Sequence, residues 1–172
     1  MTRILFDQTV DTDYGQFSLE WGDDMWDGDA DRFFAGQSNG WVAAAVPDVL
    51  HLVMGKRFGG SSVRIEMHDQ EPPADLRWED CVEVSITIPP GGAARWLTWG
   101  GESGGALDIF PGAYRVRVSG RDRDAGNEAE GDSTVMDSYL LQLWPSPPEP
   151  DEVIRTGSVD AAYWNDAWGN RR

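Results

Sequence analysis

Two stretches, PGAYRVRVSG at residues 111–120 and DSYLLQLWP at residues 137–145, decide the fold. In the first, Tyr114, Val116 and Val118 alternate with Arg115 and Arg117. This period of two places the apolar side chains on one face of a half-exposed strand. The Pro111-Gly112 turn opens that strand, and Ser138 to Trp144 runs as a second strand up to Pro145. Between them, Ser119 to Asp137 is rich in Gly, Asp and Glu and reads as a long, mobile, solvated hairpin connection.

The same period recurs upstream. Phe17, Leu19 and Trp21 share a face in QFSLEW (16–21), as do Val63, Ile65 and Met67 in the run from Ser62. From Cys81 to Ile88, Val82, Val84, Ile86 and Ile88 face inward. Trp41 to Val46, Trp96 to Trp99 and Leu107 to Phe110 are weaker strand candidates. The best helix candidate, Pro47 to Met54 (PDVLHLVM), starts at a proline and can align Val49, Leu50 and Val53, but its valines suit a strand nearly as well. Many short strands between Gly and Pro turns, without helical crossovers, predict an all-β fold, an antiparallel β-sandwich with long acidic loops. The sandwich is expected over residues 1–145. Residues 146–172 form a proline-rich spacer, PSPPEP, and a tail whose Tyr163, Trp164 and Trp168 dock back on the body, with a short helix over Ala161 to Trp168.

Composition limits the function. The 172 residues carry 30 Asp and Glu against 14 Lys and Arg, a formal net charge of −16, which argues against nucleic acid or an anionic membrane as partner. A basic protein is the natural complement of such a field, which also keeps the free chain soluble. No stretch approaches the roughly 18 apolar residues of a membrane helix, and no secretory leader is evident, so a cytoplasmic protein is expected. The single Cys81 lies in an alternating apolar run and reads as a buried thiol.

Several motifs invite chemistry and fall short of it. Asp27, Asp29 and Asp31 match the first ligands of a calcium loop, but Arg32 stands where the turn needs Gly and Ser38 where the loop needs Glu. Gly101-Glu102-Ser103-Gly104-Gly105 fits G-x-S-x-G, yet the next residues reach Pro111-Gly112 too soon for the helix that motif requires, and both histidines precede Ser103. His51, His68 and Cys81 lack compact zinc spacing; His51 reads as a core histidine and His68 as solvated. No metal, cofactor or catalytic residue is therefore expected, and no enzymatic activity.

The segment WGDDMWDGDADRFF (21–34) carries the most information about binding. Trp21, Trp78 and Trp144 belong beside patterned strands and read as core, whereas Trp26 sits among aspartates. An aromatic ringed by carboxylates has the composition of a protein-binding hot spot, on which a partner's Arg or Lys could pair and stack. The plain alternative is that Trp26, Phe33 and Phe34 pack beneath an ordinary acidic loop.

PGAYRVRVSGRDRD (111–124) followed by DSYLLQLWPSPP (137–148), together with YGQFSLEW (14–21), GQSNGWV (36–42) and RWEDCVEVSI (77–86), resembles the competence-protein-J nuclease inhibitors and toxin-immunity proteins of bacteria. The resemblance implies a sandwich that neutralises a nuclease or toxin without catalysis of its own. The expected contacts with a basic toxin or nuclease domain are Asp23, Asp24, Trp26, Asp27, Asp29 and Asp31, with the loop Asp122 to Asp132 second. The rival reading is a carbohydrate-binding sandwich that stacks sugars on Trp96, Trp99 or Trp26.

Overall fold

The computed structural model describes residues 1–129, 132, 134 and 137–172. Among these residues eleven strands form two sheets. They are β1 (Thr2–Asp13), β2 (Gln16–Glu20), β3 (Val42–Ala43), β4 (Val49–Val53), β5 (Phe58–His68), β6 (Asp80–Ile88), β7 (Arg95–Thr98), β8 (Gly104–Ala106), β9 (Gly112–Arg121), β10 (Ser138–Pro145) and β11 (Glu152–Arg155). Among the described residues three α-helices join them, α1 (Ala30–Phe33), α2 (Arg123–Glu128) and α3 (Val159–Ala167), with a 3-10 turn at Trp99–Gly101. The six-stranded sheet has the order β1-β5-β10-β9-β6-β11 and the five-stranded sheet β3-β4-β2-β7-β8. Pairing is antiparallel except between β10 and β5.

The alternating runs set the register. Ile65, Leu141, Val118 and Val82 lie opposite one another across β5, β10, β9 and β6, and all four are sealed from solvent. From the other sheet, Phe17, Leu19, Leu50 and Leu52 face them. Phe6 of β1 bridges the layers, its ring 4.8 Å from Trp96 and 6.1 Å from Phe17. This two-sheet core is the expected all-β sandwich, with one parallel pair inside it.

Several local expectations change. Pro47 to Met54 is the strand β4 and not a helix, because both of its faces are covered and its residues stay apolar without alternation. The strand β1 has no clean alternation because it is an edge strand with a bulge between Ile4 and Phe6, and only Phe6, Val10 and Thr12 of it are buried. Leu107 to Phe110 is irregular, and Trp41 to Val46 contributes only the two residues of β3. Within Ser119 to Asp137, β9 continues to Arg121 and α2 follows; residues 130, 131, 133, 135 and 136 of that connection lie outside the described residues.

The face of β9 that carries Arg115 and Arg117 is not half-exposed. Both side chains are buried, paired with Glu83 at 3.2 and 2.8 Å. Backbone carbonyls of Pro72, Glu149 and Pro150 close over them. Likewise His68 is nearly enclosed, its Nε2 2.9 Å from Glu66.

After Pro145 the chain runs along this covered face, and β11 pairs with the edge of β6. The carboxylate of Asp151 accepts the amides of Ser38 and Asn39 at 2.8–3.0 Å. Further on, the amides of Asn170 and Arg171 donate to Ser38 and Gln37. Gly40 permits this docking: a β-carbon there would fall 1.9 Å from the carbonyl oxygen of Trp164. Ser158 caps α3, accepting the amide of Ala161 at 3.0 Å, and Asp124 of α2 accepts the amides of Val159 and Asp160. Arg123, wholly buried, donates to the carbonyl of Val53 and to Asp160 and lies 4.5 Å over the ring of Trp41. α2, α3 and β4 are thereby fixed to one another.

Candidate functional site

The outer face of the five-stranded sheet is built from Gln16, Ser18 and Glu20 of β2, Val49, His51 and Val53 of β4, and Arg95 and Leu97 of β7. Residues 22–34 fold back across it. Trp26 lies flat on the ring of His51, centroids 4.2 Å apart and planes 1° from parallel, and meets Phe33 and Phe34 edge-on at 4.9 and 6.4 Å. From the C-terminal segment Trp168 joins at 5.5 Å, and Trp164 lies 4.3 Å from Trp168. Aspartates shape the backbone that carries Trp26: Asp27 accepts the amide of Asp29 at 2.9 Å, and Asp29 caps α1 by accepting the amide of Arg32 at 3.1 Å.

His51 is fully enclosed. Burial pushes its imidazole down to about 3, so it is neutral at physiological pH. Its Nδ1 lies 2.8 Å from the hydroxyl of Ser18, and its Nε2 has no partner among the described residues. An orphan of this kind costs about 1–3 kcal/mol.

Two concavities flank Trp26. The larger, about 810 Å³, lies between this sheet face and the α2–α3 pair; Trp26, Trp164 and Trp168 line it with Asp124 and Glu128 on the helical side. The smaller, about 530 Å³, runs past Glu20, Met25, Asp27 and Trp99. Of ten exposed large hydrophobic residues among those described, five line these two clefts: Tyr14, Met25, Trp99, Val159 and Tyr163. Apolar exposure concentrated on one face marks an interaction surface. Five carboxylates and two guanidiniums, those of Arg57 and Arg95, share the lining, so the face is net acidic.

Of the six residues singled out in the sequence, Trp26 and Asp27 line these clefts, and the six have distinct settings. Asp23 is exposed. Asp24 and Asp27 both pair with Arg32, at 3.4 and 3.0 Å. The amide of Asp29, and then Arg32, hold the Asp27 carboxyl below the ordinary carboxylate range. Asp29 is occupied by its cap, and Asp31 pairs with Arg171 at 2.5 Å. Trp26 is half-buried and packed, as in the plainer of its two readings. The three aspartates of the calcium-like motif thus turn to different groups, Asp27 to the guanidinium of Arg32, Asp29 to its amide and Asp31 to Arg171, and no cluster of three or more potential metal ligands occurs among the described residues. In the second segment, Asp124 lines the larger cleft, while residues 130 and 131 lie outside the described residues.

The other motifs are structural. Gly101 to Gly105 turns from β7 into β8, with the amide of Ser103 on the hydroxyl of Thr98 at 3.0 Å. Thr2, His68 and Glu66 form a hydrogen-bonded row, but Arg64 and Gln142 share Glu66 and hold its carboxyl low against the upward push of burial. Trp96 is no sugar platform: it packs between the sheets against Phe6 and Phe17. Trp78 is only half-buried, under the guanidinium of Arg121 at 4.8 Å. The sequence reading missed His51 as the partner of Trp26 and α2 as a wall of the cleft. Ser158 followed by Asp160 was the readable signal for the start of α3.

No protein-family model matches the chain, and no curated protein sequence matches it. Two solved structures are similar. ComJ from Bacillus subtilis, an inhibitor of the DNA-degrading activity of NucA, superposes with a TM-score of 0.54 at 14% identity, over 85% of this chain and 99% of that one. The protein of crocagin biosynthetic gene J superposes with a TM-score of 0.50 at 15% identity, over 86% of this chain and 99% of that one. The chain has the ComJ-type fold. No helix among the described residues is long and apolar enough to cross a membrane.

Proposed function

We propose that this chain is a non-enzymatic inhibitor that holds a basic nuclease or toxin domain over the outer face of its five-stranded sheet and closes the target's active cleft. The observation that carries the reading is the fold shared with ComJ over nearly all of that inhibitor. The net charge of −16 supports it, since a nuclease cleft that receives DNA is basic and an acidic face competes for the same ground. So does the concentration of exposed aromatic and apolar side chains around Trp26 on an acidic rim. Asp23, Asp24, Trp26, Asp27, Asp29 and Asp31 are the proposed contacts, their carboxylates standing where substrate phosphates would lie. Those already paired with Arg32 or Arg171 would exchange an internal guanidinium for the partner's.

Co-expression with the nuclease or toxin encoded beside the gene tests the reading. The chain is expected to protect cells and to stop DNA cleavage at equimolar ratio. Cleavage that persists under a large excess of the chain, together with unprotected cells, would contradict it.

A further inference from the structure

We infer that the larger cleft, between the outer face of the five-stranded sheet and the α2–α3 pair, is the seat of an arginine side chain presented by the partner. The inference rests on the reading of the chain as a holder of a basic protein, and it names the residue type that anchors the complex.

Three features of the cleft select a guanidinium. Its apolar wall is aromatic: Trp164 and Trp168 lie 4.3 Å apart and Trp26 follows at 5.5 Å. A planar, weakly hydrated cation gains most from such faces. On the helical side stand Asp124 and Glu128, and Glu128 is exposed, with no side-chain bond to another described residue. The floor is the covered ring of His51, neutral and stacked under Trp26, so it adds no positive charge to the cleft. Three carboxylates, Asp124, Glu128 and Asp160, outnumber the one guanidinium of the lining, Arg57, so the cleft disfavours an anion, and a purely apolar ligand would leave Glu128 unanswered.

The cleft is also held open. Arg123 fixes α2 to β4 and α3 from beneath, and Asp124 binds the first amides of α3, so the walls need no rearrangement to admit a side chain.

The test uses the full chain and N-acetyl-arginine amide, followed by the indole N–H resonances and tryptophan fluorescence. Saturable shifts at Trp164 and Trp168 are expected, weaker for the lysine amide and lost at least tenfold in Glu128→Lys, with Asp75→Lys as an unchanged control. No saturation with arginine amide, equal binding by Glu128→Lys, or preference for tryptophan amide or an oligosaccharide would overturn the inference. The inhibitor reading fails separately. If the wild-type chain stops a nuclease and Glu128→Lys does so equally well while Asp27→Lys does not, the inhibitor stands and the arginine seat falls. If arginine amide binds but no nuclease is inhibited, the seat stands without that function.

Discussion

The outer faces of the two sheets solve the same problem in opposite ways. On the six-stranded sheet, polar side chains that would face water are paired with one another. Arg115 and Arg117 share Glu83, Arg64 and His68 share Glu66, and the segments around Pro72 and Glu149 close over them. On the five-stranded sheet, the covering segment 22–34 and α3 leave two clefts, five exposed apolar side chains and an unanswered imidazole nitrogen. A face whose groups are satisfied internally has little left to offer a partner; a face with exposed apolar area and unmatched carboxylates has more.

The largest expected effect lies on the satisfied face. Glu83→Gln keeps the shape but leaves Arg115 buried without its counter-charge, and should destabilise the fold by about 3 kcal/mol in denaturant unfolding. A change well under that would mean the network is wetter than the closed face implies.

The next effect separates the faces by pH. The unfolded chain protonates His51 near its ordinary value of 6.5, whereas the folded chain resists protonation until about 3. The stability due to neutral His51 is complete above pH 6.5 and falls as pH drops, by about 3 kcal/mol at pH 4. His51→Phe, which retains a ring under Trp26, should remove that slope between pH 6.5 and 5, above the carboxylate range. An unchanged slope would show that His51 is not the responsible group.

Trp26→Ala should cost about 2 kcal/mol of stability, less than a fully buried tryptophan, since Trp26 is half-buried against His51, Phe33 and Phe34. It is therefore a poor probe of binding by itself. Asp27→Lys is the cleaner one. It removes the surface pair with Arg32 and the exposed acceptor of the Asp29 amide, so the unfolding midpoint should fall less than in Trp26→Ala, while association with a basic partner slows about tenfold at low salt.

The strands that bury one face were legible because their alternation survives: β2, β5, β6, β9 and β10 all show it. β4 was not, since a strand covered on both sides loses its period, and β1 was not, since an edge strand with a bulge never had one. The acidic segment 21–34 was legible as a unit, but not its packing, because the partner of Trp26 is His51, 25 positions away on another strand, in a run that reads simply as apolar. The burial of Arg115 and Arg117 had the same cause. Alternation gives the face a residue occupies, and only the tertiary fold decides what covers that face.

The most direct test of the account is a DNA-cleavage titration with each basic DNA nuclease that the source genome encodes, comparing the wild-type chain, Asp27→Lys beside the open face, and Asp75→Lys away from it. The account predicts that wild type and Asp75→Lys stop cleavage at one equivalent and that Asp27→Lys needs about tenfold more. Cleavage untouched by the wild-type chain, or stopped equally by all three, would contradict it.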